Sequence, residues 1–421
     1  MKRARKKKKS SSEKQTKMGR GVDTLPPEVM VHIMSYLCSL AELHNCSLVC
    51  RQWWELSSDN SLWVLLYQRH YKTRLTTAHL RSGTWKQAFM NRKAVKKNWA
   101  TSKVTQELTL STKTAVSALC YDPQEGAAYT ASKGAKQATF HRFDLRKGAT
   151  GEEILPHCKA LPPTFSSQVD VTDVVQLMSV SPDVNRMITA SIKVLDVWRV
   201  GAESVQHQVS LQEHSDRISC FQMQDNFAVT GGWDRKLCLW DLAAERCLHV
   251  IQGAHAAFIK DLQFDETVIV SSGNDKSIRI YDRRTAAKVR DVSLAANVGA
   301  NASVSAFRFS AAINKIAMGR RDGFIQVCPW DVLSGGHVPT YTHFHPATEA
   351  SVGETYRGSE RYLVNQVLMD EDKIITTHNS TLSVWGLDGE KLCAFEAGGQ
   401  AACDDVLLLC GSSPVQCRSF L

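Results

Sequence analysis

Apolar and polar positions follow two different periods along this 421-residue chain. Up to about residue 102 the spacing is helical, and from residue 103 it is that of strands. The first apolar stripe is Val29, Met30, Ile33, Met34 and Leu37. Pro26, Pro27 and Glu28 suit the first turn of a helix there, where proline is tolerated and an acid meets the positive end of the dipole. Ser39 and Glu42 form a capping-box pair, with Cys38 and Leu43 at the staple positions, which predicts a second helix from Leu40. A third is predicted over Arg51 to Ser57. Trp53 and Trp54 then point about 100° apart. One can close a small core. The other needs a partner, at roughly 1.5–3 kcal/mol per large side chain buried. Periodicity alone leaves that partner open between the rest of this chain and another protein. Leu62, Leu65 and Leu66 continue a helical stripe. Thr84 and Gln87 make a further capping pair ahead of Trp85, Ala88, Phe89, Val95 and Trp99, a helix whose outer face (Lys86, Arg92, Lys93, Lys96, Lys97) is expected to be solvated.

In the strand-like part the pattern repeats. Glu213 to Asp241 and Ala254 to Asp282 superpose with a shift of 41 residues, each with a histidine before the first strand, an aspartate in a turn, and Trp-Asp or Tyr-Asp at the end. Weaker copies run from Ala115 to Leu145, from Thr172 to Arg199, from Ser303 to Asp331 (ending Pro329-Trp330-Asp331) and from Leu363 to Leu387. Ala401 to Leu421 supplies only last strands, so Val104 to Leu110 is expected to provide the missing outer strand and close a ring.

These features carry two resemblances. Leu25-Pro26-x-Glu28, Ile33, Tyr36-Leu37, Leu43, Val49-Cys50-Arg51-x-Trp53 and Leu62-Trp63 resemble an F-box, with Pro27 a mild variation. F-boxes dock on the Skp adaptor of cullin–RING ubiquitin ligases. The resemblance implies that Leu25, Pro26, Ile33, Leu37, Leu43, Val49, Cys50 and Trp53 supply that contact or its support. The repeats resemble WD repeats, which implies a β-propeller. Shared over residues 103–421, seven blades take about 46 residues each, near the 40–45 of this repeat, whereas six would take about 53. The expected fold is therefore α plus all-β: a disordered basic tail (1–22), a helical F-box (23–66), a helical linker (67–102) and a propeller of seven blades (103–421). Gly148–Gln168 and Ser334–Glu360 read as interblade excursions, either recognition loops or long connections.

The WD resemblance assigns the histidines. His214, Asp234, Thr230 and Trp240 form a structural hydrogen-bond chain across one blade, and His255, Asp275, Ser271 and Tyr281 do so across the next. On the face bearing the entry loops and turn aspartates, the expected substrate-binding residues are Arg217, Trp233, Arg235, Phe258, Lys260, Lys276, Arg320 and Arg321. Arginines there suit carboxylate or phosphate, so an acidic or phosphorylated protein segment is the candidate ligand, ordinary solvated charge being the alternative.

Charge adds one element. Residues 1–20 hold ten Lys/Arg against one acid and account for the whole net charge of +9. Lys2, Arg3, Arg5, Lys6, Lys7, Lys8 and Lys9 read as a nuclear-import signal, a weak nucleic-acid contact or a solubilising tail. From residue 101 onward acids outnumber bases, unlike a duplex-binding domain. The thirteen cysteines form no CxxC pair and read as buried free thiols. His343 and His345 read as loop histidines without a third ligand. No metal or cofactor is expected, and no phosphate loop, HExxH or GxSxG occurs. No apolar run is long enough for a membrane span, and no signal region precedes the F-box. An intracellular protein of nucleus and cytoplasm is expected, with no dimerisation segment. The expected function is the non-catalytic substrate receptor of an SCF-type ligase. The alternative is a nuclear WD-repeat scaffold, RNA-associated through its tail.

Overall fold

A computed structural model describes residues 25–37, 40–71, 84–101, 104, 106–112, 115–122, 126–132, 137–145, 160–161, 163–170, 175–181, 185–201, 204–293, 303–311, 313–331, 342–344, 363–370, 372–378, 381–396, 400–403, 406–410 and 415–419. The tail with its seven import residues, the Cys38–Ser39 cap and staple, and His345 lie outside the described residues. The chain divides between Met90 and Asn91 into two units.

The first unit holds α1 (Pro27–Met34), α2 (Leu40–Ser47), α3 (Arg51–Ser57), α4 (Asn60–Tyr71) and the first turns of α5 (Trp85–Ala100). Its core joins Met30 and Met34 of α1 to Leu43, Leu56, Leu62 and Leu66, capped by Trp63, Tyr67, Trp85 and Phe89. Trp63 meets Phe89 edge-on at 5.5 Å, and Tyr67 meets Trp85 at 5.3 Å, the tilted geometry that aromatic quadrupoles favour. The Trp63 indole donates to the Ser57 carbonyl at 2.9 Å, so its one polar atom is satisfied inside the core. Thr84 Oγ1 accepts from the Gln87 amide at 3.3 Å and caps α5 as expected.

In the second unit the described strands form seven sheets, each built on four antiparallel strands. Blade 1 is built from Val116–Asp122, Ala127–Ser132, Gln137–Asp144 and Phe165–Asp170. Blade 2 comprises Leu177–Ser181, Arg186–Ala190, Leu195–Val200 and Val205–Leu211. Blade 3 comprises Ile218–Gln224, Phe227–Gly232, Leu237–Asp241 and Arg246–Ile251. Blade 4 comprises Ile259–Phe264, Val268–Gly273, Ser277–Asp282 and Lys288–Ser293. Blade 5 comprises Val304–Ser310, Lys315–Arg320, Ile325–Pro329 and Thr342–Phe344. Blade 6 comprises Gln366–Met369, Lys373–Thr377, Thr381–Gly386 and Lys391–Glu396. Blade 7 joins Gln400–Cys403, Val406–Cys410 and Val415–Ser419 to Gln106–Leu110. The first strands touch in order from blade to blade, and that of blade 7 touches that of blade 1, so the ring is closed. Closure runs through Leu110, which pairs with Val415 and packs fully buried on Ala128, Phe143 and Cys417.

Three expectations change. Residues 148–168 lie largely between the third and fourth strands of blade 1, not between blades, and their Ala160–Leu161 adds a parallel fifth strand beside Gln106–Leu110. Thr342–Phe344 within the second stretch is the outer strand of blade 5, which also places His343 in a strand rather than a loop. On α5, Lys86, Lys93, Lys96 and Lys97 are exposed as expected, but Arg92 is half-buried; it and Lys96 both reach Asp372 at 3.2 Å, while Val95 and Trp99 pack on Ile375, Leu382 and Val384 of blade 6.

Four first strands carry a one-residue bulge at the same place. In three the bulged residue is serine: Ser117, Ser219 and Ser305. Ser219 Oγ donates to the Ile259 carbonyl of blade 4 at 2.6 Å, and Ser305 Oγ to the Val364 carbonyl at 2.5 Å. A short hydroxyl there ties a blade to the chain entering the next.

Candidate interaction sites

The eight F-box positions divide into two groups. Leu43 is buried, and Leu25, Leu37 and Trp53 lean half-buried on the core. Pro26, Ile33, Val49 and Cys50 are exposed. Cys50 thus departs from the expectation of buried thiols, whereas Cys220, Cys238 and Cys328 are buried and burial pushes the Cys328 thiol up to about 12. The stripe expected to bury one side of α1 splits: Met30 and Met34 face inward while Val29 and Ile33 stand 42% and 47% exposed. Leu48, Val49, Tyr36 and Trp54 are 57–70% exposed. So much apolar surface on so small a unit, beside a core already closed by other residues, marks an interaction surface rather than leftover packing.

In blade 3 the hydrogen-bond chain is complete. Trp240 Nε1 donates to Thr230 Oγ1 at 2.9 Å, Thr230 bonds His214 Nε2 at 2.7 Å, and His214 Nδ1 meets Asp234 at 3.0 Å. Asp234 also accepts from the Ser215 and Lys236 amides at 2.9 and 3.1 Å. Burial is the largest influence on both ionisable groups. It lowers His214, with the Asp234 charge opposing. It would raise Asp234, but the His214 contact and the Ser215 amide outweigh it and hold that carboxyl below its usual range. Gly232 is required here, since a Cβ would come within 2.7 Å of both His214 Nδ1 and Asp234 Oδ1. In blade 4 His255 meets Asp275 at 3.0 Å and Ser271 at 2.9 Å, but the chain stops short of the aromatic ring. The Tyr281 hydroxyl, carried further out than an indole N–H, donates to the Ala254 carbonyl at 2.7 Å.

Blade 5 departs from this pattern. Strand pairing sets Cys328, not Trp330, at the position of Trp240 and Tyr281. Trp330 stacks instead on Phe309 at 4.4 Å. Arg320 takes the place that Gly232 and Gly273 hold in blades 3 and 4, and no histidine occurs in the segment ahead of this blade. Its side chain turns inward, 3% exposed, and pairs with Asp322. Arg320, expected on the binding face, is therefore a stand-in for the structural histidine.

The remaining face residues assemble across blades 3 to 5. Three equivalent backbone bonds order them: the Trp233 amide to the Arg217 carbonyl (2.8 Å), Asn274 to Phe258 (2.9 Å) and Arg321 to Ser303 (3.0 Å). Trp233, 48% exposed, stacks on Phe258 at 5.2 Å, and the Arg217 guanidinium lies 5.9 Å from the Trp233 ring. Lys260 Nζ donates to Ser303 Oγ at 3.0 Å, close enough to Arg321 for their charges to repel. Arg235 and Lys276 occupy the third turn position with φ of 66° and 64°, where blade 5 has Gly323. A side chain in that region costs about 1–2 kcal/mol. No contact among the described residues joins these two to the aromatic shelf.

Residues 22–69 match the F-box-like family, and 205–241 and 245–282 match the WD domain, G-beta repeat. Human F-box/WD repeat-containing protein 9 is 23% identical over 266 residues, covering 63% of this chain and 56% of that protein. The chain is an F-box/WD-repeat protein. The chain also resembles the Ribosome biogenesis protein WDR12 homolog of Drosophila virilis, 31% identical over 127 residues, covering 26% of this chain and 30% of that one. The chain thus spans little more than half of the human relative and under a third of the fly one. Among solved structures, one described as RRP9 WD40 repeats (TM-score 0.57, 15% identity, 75% of this chain and 97% of that one) and one described as U3-55K (TM-score 0.56, 15% identity, 75% and 98%) share the fold.

For this F-box/WD-repeat protein, sequence reading missed Ser303 and Asn274, which order the face. Their signal was positional: each stands where the neighbouring repeats carry Phe258 and Trp233.

Proposed function

We propose that the chain is the substrate-recognition subunit of an SCF-type E3 ubiquitin ligase. The helical unit docks on the Skp adaptor, and the propeller holds a protein substrate near a ubiquitin-charged enzyme. Transfer is then promoted by raised effective concentration. The observation that carries this reading is the outward apolar set Val29, Ile33, Val49 and Trp54 of the F-box-like segment, 42–64% exposed. Substrate capture is assigned to Arg217, Trp233, Phe258, Lys260 and Arg321, where cations beside an aromatic shelf suit an acidic or phosphorylated segment. Affinity purification tests the reading. The double variant Ile33→Asp, Val49→Asp should lose adaptor and cullin while keeping proteins held by the propeller. Retention of cullin by that variant would refute the reading.

A second reading has its own support. The likeness to a relative named for ribosome biogenesis, together with the basic tail, fits a nuclear scaffold associated with RNA. Deleting residues 1–20, or raising salt, should then release RNA and abolish nuclear accumulation. An unchanged cargo would count against it.

A further inference from the structure

Blade 4 breaks the serine pattern of the bulges. Its bulged residue is Lys260, so an amine stands where Ser117, Ser219 and Ser305 place a hydroxyl. A lysine gives up the compact clamp to the next blade that Ser219 and Ser305 make. Its Nζ is instead held by the Ser303 hydroxyl at 3.0 Å, in a half-buried position. No carboxylate lies against it among the described residues. The adjacent Asp261 turns to Arg308 at 3.0 Å, and Asp322 is taken by Arg320. The charge that does reach Lys260 is of like sign, from Arg321, which is exposed and pairs with no carboxylate among the described residues. Burial first, then Arg321, holds the amine far below the lysine range, at about 8.

We infer that Lys260 is an acyl-acceptor site for dicarboxylic acyl groups, with Arg321 seating the free carboxylate of the donor while the amine meets its acyl carbon. A donor of succinyl-thioester type supplies the group. The neutral amine attacks the thioester carbonyl, the N–C amide bond forms, the C–S bond breaks, and the sulfur leaves with the proton that the nitrogen sheds. Nothing is oxidised or reduced. The product turns a cation into an anion facing Arg321, which reverses the charge of this face at blade 4. The site stands whether or not the face holds a substrate.

The test uses the full chain, incubated at pH 7.4 with succinyl-coenzyme A or, in parallel, acetyl-coenzyme A, with occupancy at each lysine read by peptide mass spectrometry. At that pH about a fifth of Lys260 amines are neutral, against about one in a thousand for an ordinary lysine. Lys260 should therefore gain succinyl at least about ten-fold faster than the exposed Lys193. Arg321→Gln changes the amine's basicity equally for both donors, so the succinyl-to-acetyl ratio at Lys260 isolates the carboxylate seat. That ratio should fall about three-fold or more, the scale of one exposed ion pair. Labelling of Lys260 no faster than Lys193, or an unchanged ratio in Arg321→Gln, overturns the inference.

Discussion

Thr230 and Thr130 hold the same position in the second strands of blades 3 and 1, both fully buried, yet replacing each by valine should have opposite consequences. In blade 3 the Thr230 hydroxyl accepts from Trp240 Nε1 and bonds His214 Nε2. Thr230→Val keeps the shape and strands both nitrogens in a buried site. Leaving a buried polar group unpaired costs about 1–3 kcal/mol, so the two together cost about 2–6 kcal/mol. In blade 1 Phe143 stands where Trp240 would be, and the Thr130 hydroxyl has no hydrogen-bond partner among the described residues. Thr130→Val removes an unpaired group and should be neutral or stabilising by up to about 1–2 kcal/mol. Thermal unfolding reads the difference at roughly 2 °C per kcal/mol for a domain this large. Amide exchange along Phe227–Gly232 and Ala127–Ser132 assigns it to a blade. Thr230→Val should lower the midpoint by about 4–12 °C and speed exchange in blade 3, while Thr130→Val should do neither. Equal effects of the two substitutions would refute the reasoning, because only the partners differ.

Other consequences concern acid and ring closure. The depressed pKa values of His214 and Asp234 mean that their contribution is full above the unfolded values, about 6.5 and 3.9, and is lost as pH falls. The stability gap between wild type and Asp234→Asn should therefore narrow as pH is lowered below about 4, where the unfolded carboxyl takes up its proton, and a gap that widens there contradicts the assignment. Leu110→Ala removes a fully buried side chain at the closure and should cost about 2–5 kcal/mol. Limited proteolysis should then cut first within 400–421, and an unchanged cleavage order would show that closure does not rest on this contact.

Much of the architecture could be read from residue order because its devices recur. The His–Asp pairs of blades 3 and 4, the closing strand at 106–110 and the starts of α1, α2 and α3 lie where spacing puts them. What could not be read depends on which of two similar features the fold uses. Trp330-Asp331 mimics a repeat ending, but pairing puts it beyond the strand. Arg320 looks like a binding arginine until the missing histidine is seen to leave room for its side chain. Helical periodicity gave the stripe on α1 but not its split, since Val29 and Met30 are equally apolar and only the packing of α3 and α4 decides which faces inward. The two-residue strand Ala160–Leu161 is too short to show any period.

The central claim is that the outward side chains of α1 and of the α2–α3 turn form the adaptor contact. Calorimetric titration of the purified full chain with a purified Skp adaptor tests it most directly. Ile33 and Val49 together should contribute about 3–6 kcal/mol when buried, so Ile33→Asp, Val49→Asp should weaken binding by at least about a hundred-fold, while Lys193→Ala in blade 2 leaves it unchanged. Binding of the double variant within a few-fold of wild type, with its fold intact, would contradict the account.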